Sequence, residues 1–405
     1  VSCLQKLLFT LSFVCLLPAQ AAVWEVRHEW DADWENTYSA WVKSDWNVNF
    51  FKDAESPAYR GLVLDCADAV YSMRAIFARE HGLPFGVRDP SGGGGIISQA
   101  MARFDGVANA DQRMRAFLKY LYGVISTRSL PSDTYPAAVN RDAIRAGSLI
   151  ATDAASHHSW TVNDINAQGV PVLAFASRPA RSKLFYRKGF PTMGFMFPNG
   201  NTLASNGGFR NFRRIEDLNR PVTEVRGFSD EQYRIRLSKW VKTLQDALAR
   251  EDETKAQRLE RLLEDACLGA RERVTFVSEA LEYRDEIGGR CMNATEFDDH
   301  STPGRDARLK DNFQEVVEAY EDLGRQARNV EASLLATARA LSRGENDPSG
   351  YCQVRYASGH SAPLAEIVRR MFDGDLGSNP NDGLEYRWGD RSGGLGSRGR
   401  ACPQF

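Results

Sequence analysis

The chain has six histidines in 405 residues. None of them stands with cysteines or carboxylates at the spacing of a zinc site, so no metal is expected. Neither sign of charge is in excess: Lys and Arg number 51, Asp and Glu 53, and the net charge is −2. That balance gives no reason to expect nucleic acid or anionic lipid as a partner. The glycine run Ser91 to Gly95 is not followed by Lys-Ser or Lys-Thr, which excludes a phosphate loop. No cofactor is expected. After residue 21 no segment approaches the ~18 consecutive apolar residues of a membrane-spanning helix.

Residues 1–21 read as a signal peptide: Lys6, a short apolar run from Leu7 to Leu17, and Ala19-Gln20-Ala21 before Ala22. The expected mature protein is exported, to the periplasm or outside the cell, with no integral membrane segment after cleavage. Five cysteines then remain, and four of them (Cys267, Cys291, Cys352 and Cys402) lie in the second half. An oxidising compartment favours pairing among these four, in one of three ways. Cys66 is left as the odd thiol, either a core residue or a nucleophile.

The hydrophobic pattern divides the chain at about residue 225. Trp30, Trp34, Tyr38 and Trp41 share one face of a helix, and that face is expected to pack on its neighbours. Residues 65 to 81 read as a second helix, capped by Asp65 and ended by Gly82, with Cys66, Val70, Met73 and Phe77 on its apolar stripe. Ser148 to Thr152, His158 to Ile165 and Val170 to Ser177 alternate as strands, and Asn166 to Gly169 reads as a hairpin turn. Beyond Phe228 the sequence is charged and helical. Thr254 to Ile287 and about Arg308 to Arg343 carry narrow apolar seams, which suggests an antiparallel helical hairpin available for self-association or a protein partner. A final helix is expected from about Pro363 to Phe372. The expected division is a hydrolase-like domain over 22–225, a helical domain over 226–373 and an irregular tail over 374–405.

Cys66 follows the cap Asp65, so its thiol starts a helix, where the positive end of the dipole favours a thiolate. The free N–H groups of that first turn could also hold an oxyanion. His81 lies ~15 residues along the same helix, more than ~20 Å away, and cannot serve as base. His157 and His158 remain, at the start of a strand whose alternate residues share a face. His158 shares its face with Trp160 and Val162, the more apolar set, which is expected to meet the Cys66 helix. His158 is therefore favoured over His157. Asp164 is ~20 Å along the strand from His158, out of reach, and the hairpin register places Ser177 opposite His158 as the residue that orients the imidazole.

Tyr59, Asp65 and Cys66 resemble the Tyr and Asp-Cys-Ser-Gly element of the NlpC-type cell-wall peptidases. Ala146-Gly147-Ser148-Leu149-Ile150 is similar to that family's Pro-Gly-Asp-Leu strand, and the His158 strand to its His-Val-Gly strand. The likeness spans about residues 55 to 180, with Ala67-Asp68 and Ser148 departing from the family pattern. It implies an α+β fold in which a papain-like N-terminal domain, a Cys helix packed on an antiparallel sheet, precedes an all-α helical-hairpin region. It implies a thiol hydrolase of amide bonds in peptidoglycan stem peptides, with Cys66 as nucleophile, His158 as base and then acid, and Ser177 or a neighbour as orienter. Tyr59 and Trp160 are the expected substrate contacts. Two alternatives use the same residues differently: a transglutaminase-like acyl transferase, and a non-catalytic envelope-binding protein with a degenerate papain-like domain.

Overall fold

The computed structural model describes residues 22–152, 157–391 and 402–405. The expected signal peptide lies outside them. Six antiparallel strands form the central sheet: β1 (Thr134–Pro136), β2 (Leu149–Ala151), β3 (Ser159–Ile165), β4 (Pro171–Phe175), β5 (Phe185–Lys188) and β6 (Gly208–Phe212). Their spatial order is β1-β6-β2-β3-β4-β5. The three strands expected from alternation are β2 to β4, each shorter than the sequence pattern. The turn between β3 and β4 closes where Asn166 Oδ1 accepts from the Val170 N–H at 2.8 Å.

Helices cover both faces of this sheet. On one face lie α1 (Ala32–Asp45) and α2 (Cys66–Glu80). Asp31 caps α1 through the Trp34 N–H at 2.9 Å. The aromatic face of α1 gathers round Phe77 of α2, whose ring centre is 5.1 Å from that of Tyr38 and 5.5 Å from that of Trp41. The packed role expected for these rings is the observed one. On the other face lie α3 (Leu237–Leu248) and α4 (Lys255–Glu286), which close a core of Trp160, Val162, Leu173, Phe175, Trp240 and Phe276.

The long helix α4 is capped by a reciprocal pair, Thr254 and Gln257. It runs antiparallel to α5 (Pro303–Asp322): Lys255, at its start, reaches Asp322 at 2.7 Å, and Arg273, further along, reaches Asp306 at 2.7 Å. The helix expected over Arg308 to Arg343 is interrupted at Gly324, whose φ of +52° lies in the left-handed region, and it resumes at Ala332. The second half is not all-α. Gln353–Ala357 and His360–Pro363 pair as an antiparallel hairpin that buries Val354 and Tyr356. Trp388, in the stretch read as an irregular tail, is fully buried and stacks on Tyr356 at 4.6 Å. The architecture is α+β, with antiparallel sheets and helices in both halves. Cys267 is bonded to Cys352 and Cys291 to Cys402, and Cys66 is free. Among the described residues no helix is long and apolar enough to cross a membrane.

Candidate functional site

Cys66 is the first residue of α2, and its surroundings hold it as a thiol. The Asp65 carboxylate accepts from the N–H groups of Ala67 (3.0 Å) and Asp68 (3.2 Å), and Asp68 answers by accepting from the Asp65 N–H at 3.0 Å. Two donors of the first turn, the N–H groups of Ala67 and Asp68, are therefore taken by the helix's own cap. The thiol is buried and lies 3.9 Å from the main-chain oxygen of His157, to which it donates. Burial, and then the negative Asp65, push it up to about 12. A nucleophilic cysteine needs the opposite surroundings, exposed and electropositive.

Among the described residues, neither imidazole is a hydrogen-bond partner of the sulfur. His157 sits in a left-handed backbone conformation, φ +46°. Its Nε2 is 3.0 Å from Arg128 Nη2. A guanidinium only donates, so Nε2 accepts. His158, the expected base, is on the sheet face turned away from α2. Its ring packs against Trp160 (4.4 Å between centres), Phe175 (5.6 Å) and Phe195 (6.1 Å). Burial, and then Arg308 and Arg305, hold its pKa well below the usual histidine value. The face assignment fails for a physical reason: it took the apolar side of β3 to be the side against the Cys66 helix. With helices on both faces, the Trp160 side meets the aromatic layer of α3 and α4. The polar side meets α1 and α2 through hydrogen bonds: Ser159 Oγ donates to the Cys66 carbonyl at 3.2 Å, and Asn163 Nδ2 to the Val42 carbonyl at 2.8 Å.

The other expected site residues are engaged with other partners. Ser177 Oγ accepts from Arg305 Nη2 at 2.8 Å, so it anchors α5. The Tyr59 hydroxyl donates to Glu80 and accepts from Arg79 at 2.8 Å, which places it at the far end of α2, ~20 Å from Cys66. Trp160 stays with His158.

His158 and Trp160 line a cleft whose other walls come from β5, α4 and α5: Arg187, Asp265, Arg308 and Asn312. No family model, curated protein or solved structure matches the chain. Geometry alone therefore ranks the cleft against the Cys66 environment. Among the described residues no three His, Cys, Asp or Glu side chains are grouped to hold a metal ion. The sequence carried no signal for the arginines of the cleft. They stand in charged helical or strand stretches where a solvated face is the ordinary reading.

Proposed function

We propose that the chain is an exported envelope-binding protein with a papain-like scaffold whose thiol is structural. The observation that carries this reading is the state of Cys66: its hydrogen is given to a main-chain carbonyl while both neighbouring imidazoles are engaged elsewhere. Export is supported by the two disulfides, which belong to an oxidising compartment. Peptidoglycan as the ligand is supported by the NlpC-type pattern around Tyr59, Asp65-Cys66 and Gly147-Ser148-Leu149. The test is sedimentation with purified sacculi. Wild type and Cys66→Ala are expected to co-sediment equally and to release no peptides, and folded wild type is expected to resist iodoacetamide at neutral pH. Peptide release that is lost in Cys66→Ala overturns the proposal.

One observation favours a second reading, an amide hydrolase with His157 as base. The sulfur already lies against His157's own main chain, so a change of side-chain rotamer would carry the ring from Arg128 toward the thiol. That reading requires the release activity to vanish in His157→Ala and to survive in His158→Ala.

A further inference from the structure

The cleft beside His158 lies on the opposite side of the sheet from Cys66, between β4 and β5 below and α4 and α5 above. It encloses about 60 Å³. That is several times the ~10–15 Å³ one water needs, and too little for a whole peptide. Trp160, Leu173 and Phe175 make one wall apolar.

The charges round it do not cancel. Arg187 lies between Glu272 at 3.0 Å and Asp265 at 3.6 Å. Asp265 also accepts from the Lys188 N–H at 2.7 Å and from Asn312 Nδ2 at 2.8 Å. Asp265 is thus committed, while Glu272, whose buried Oε2 accepts no hydrogen bond, is ion-paired to Arg187 and also attracts Arg308. Arg305 is committed as well, to Ser177 Oγ and to the carbonyls of Arg178 (2.7 Å) and Ser301 (3.2 Å). Arg308, one turn further along α5, makes no hydrogen bond and no ion pair with any described residue, and its guanidinium lies 4.9 Å from the centre of the Phe195 ring. Among the described residues the lining therefore holds one cation without a hydrogen bond or ion pair, Arg308, and its carboxylate, Asp265, is committed. A guanidinium drawn partly out of water without a partner is costly, and its fork matches a carboxylate in two parallel hydrogen bonds.

We infer that this cleft binds the carboxylate of a small organic acid with a short apolar substituent, Arg308 holding the two oxygens and Trp160 and Phe175 receiving the substituent. The end of a peptide chain, a free carboxylate beside a methyl-sized side chain, has this chemistry and this size. The assignment deepens the binding reading and rests on it for its biological role. Burial, and then the neighbouring Arg308 and Arg305, disfavour the charged form of His158, so it adds a polar ring to the wall without adding positive charge.

The probes are both enantiomers of N-acetylalanine, titrated by NMR or calorimetry, with N-acetylalaninamide as the neutral control. At least one acid is expected to bind saturably, with the amide at least ten-fold weaker. Arg308→Gln is expected to lose at least ten-fold in affinity and Arg308→Lys to keep part of it, with thermal melts confirming that both are folded. Equal affinity for acid and amide, no binding of either acid, or wild-type affinity in Arg308→Gln overturns the assignment. The amide comparison needs no variant, so misfolding of one leaves the test intact. Sedimentation with sacculi in parallel separates the two readings. Protein that sediments yet ignores N-acetylalanine refutes the cleft alone, and protein that binds the acid through Arg308 yet ignores sacculi refutes the envelope role alone.

Discussion

Burial acts on three acidic groups of the first layer in the same direction. It raises the Cys66 thiol to about 12 and the Asp68 and Asp133 carboxyls each to about 7. Asp133 accepts from the Tyr71 hydroxyl at 2.5 Å and from the Arg88 N–H at 2.7 Å, two bonds that oppose the shift without cancelling it. The sign for stability follows from linkage. Below about pH 4 a carboxyl is protonated in the folded and the unfolded chain alike. Between about pH 4 and 7 the folded chain keeps a proton that the unfolded chain has released, so stability falls as pH rises, and the loss is complete above about 7. Glu296, held down at about 2 by the Arg290 guanidinium, gives the opposite slope, but only below this window. The carboxyls therefore contribute a fall in melting temperature between pH 5 and pH 8, opposed in the same window by His158, whose lowered pKa makes the unfolded chain the better proton binder. Asp133→Asn, which keeps the shape and cannot ionise, should flatten that fall. A pH profile identical in Asp133→Asn and wild type would show that this carboxyl is not protonated in the native protein.

Elements were legible where the chemistry is local. Asp65 caps α2, and the aromatic period of α1 packs as that period requires, because each of these depends on residues a few positions apart. Long-range facts were not legible. Which face of β3 meets Cys66 depends on a second helical layer contributed from beyond residue 236. The register of β3 against β4 slips between Val162 and Asp164, a bulge that turns Asp164 toward Lys43 of α1 at 2.8 Å. Past the bulge Val162 pairs with Leu173 and Thr161 with Ala174, the frame that would set His158 opposite Ser177, but the strands end before either residue. The hairpin at residues 353–363 did carry a signal, since Val354 and Tyr356 alternate with Gln353 and Arg355. Its shortness concealed it among helices. The turn at Gly169 offers a test of how tightly these layers meet. Gly169 has φ +76°, and a Cβ there would lie 2.1 Å from the Gln245 carbonyl oxygen of α3. Gly92, in the loop after Arg88, has φ +89° with open space around it. Gly92→Ala should cost only the left-handed penalty, about 1–2 kcal/mol. Gly169→Ala must also displace backbone, and is expected to cost more than about 4 kcal/mol in urea unfolding. Equal costs would mean that α3 does not rest on the turn.

At the scale of the molecule, the second half supplies the sheet's second covering layer. Phe276 of α4 stacks on Phe185 of β5 at 5.3 Å, and Arg181 forks onto Glu279 with an Nε–Oε1 distance of 3.0 Å. Asp265 docks α4 on the Lys188 main chain and also lines the carboxylate cleft. Two residues on, Cys267 ties the same helix to Cys352 at the start of the small hairpin, across 85 residues of chain. Removing this bond in Cys267→Ala/Cys352→Ala frees a loop of that length in the unfolded state, which corresponds to roughly 4 kcal/mol of lost stability. Because α4 is shared by the disulfide, the sheet contacts and the cleft, that loss should not stay in the second half. Urea unfolding of the variant is expected to remain one transition with an unchanged slope and a lower midpoint, and hydrogen exchange should rise together in α4 and in β3 to β5. An early, separate transition confined to residues beyond 250 would show that the halves fold independently, and that the cleft between them is not held by a common core.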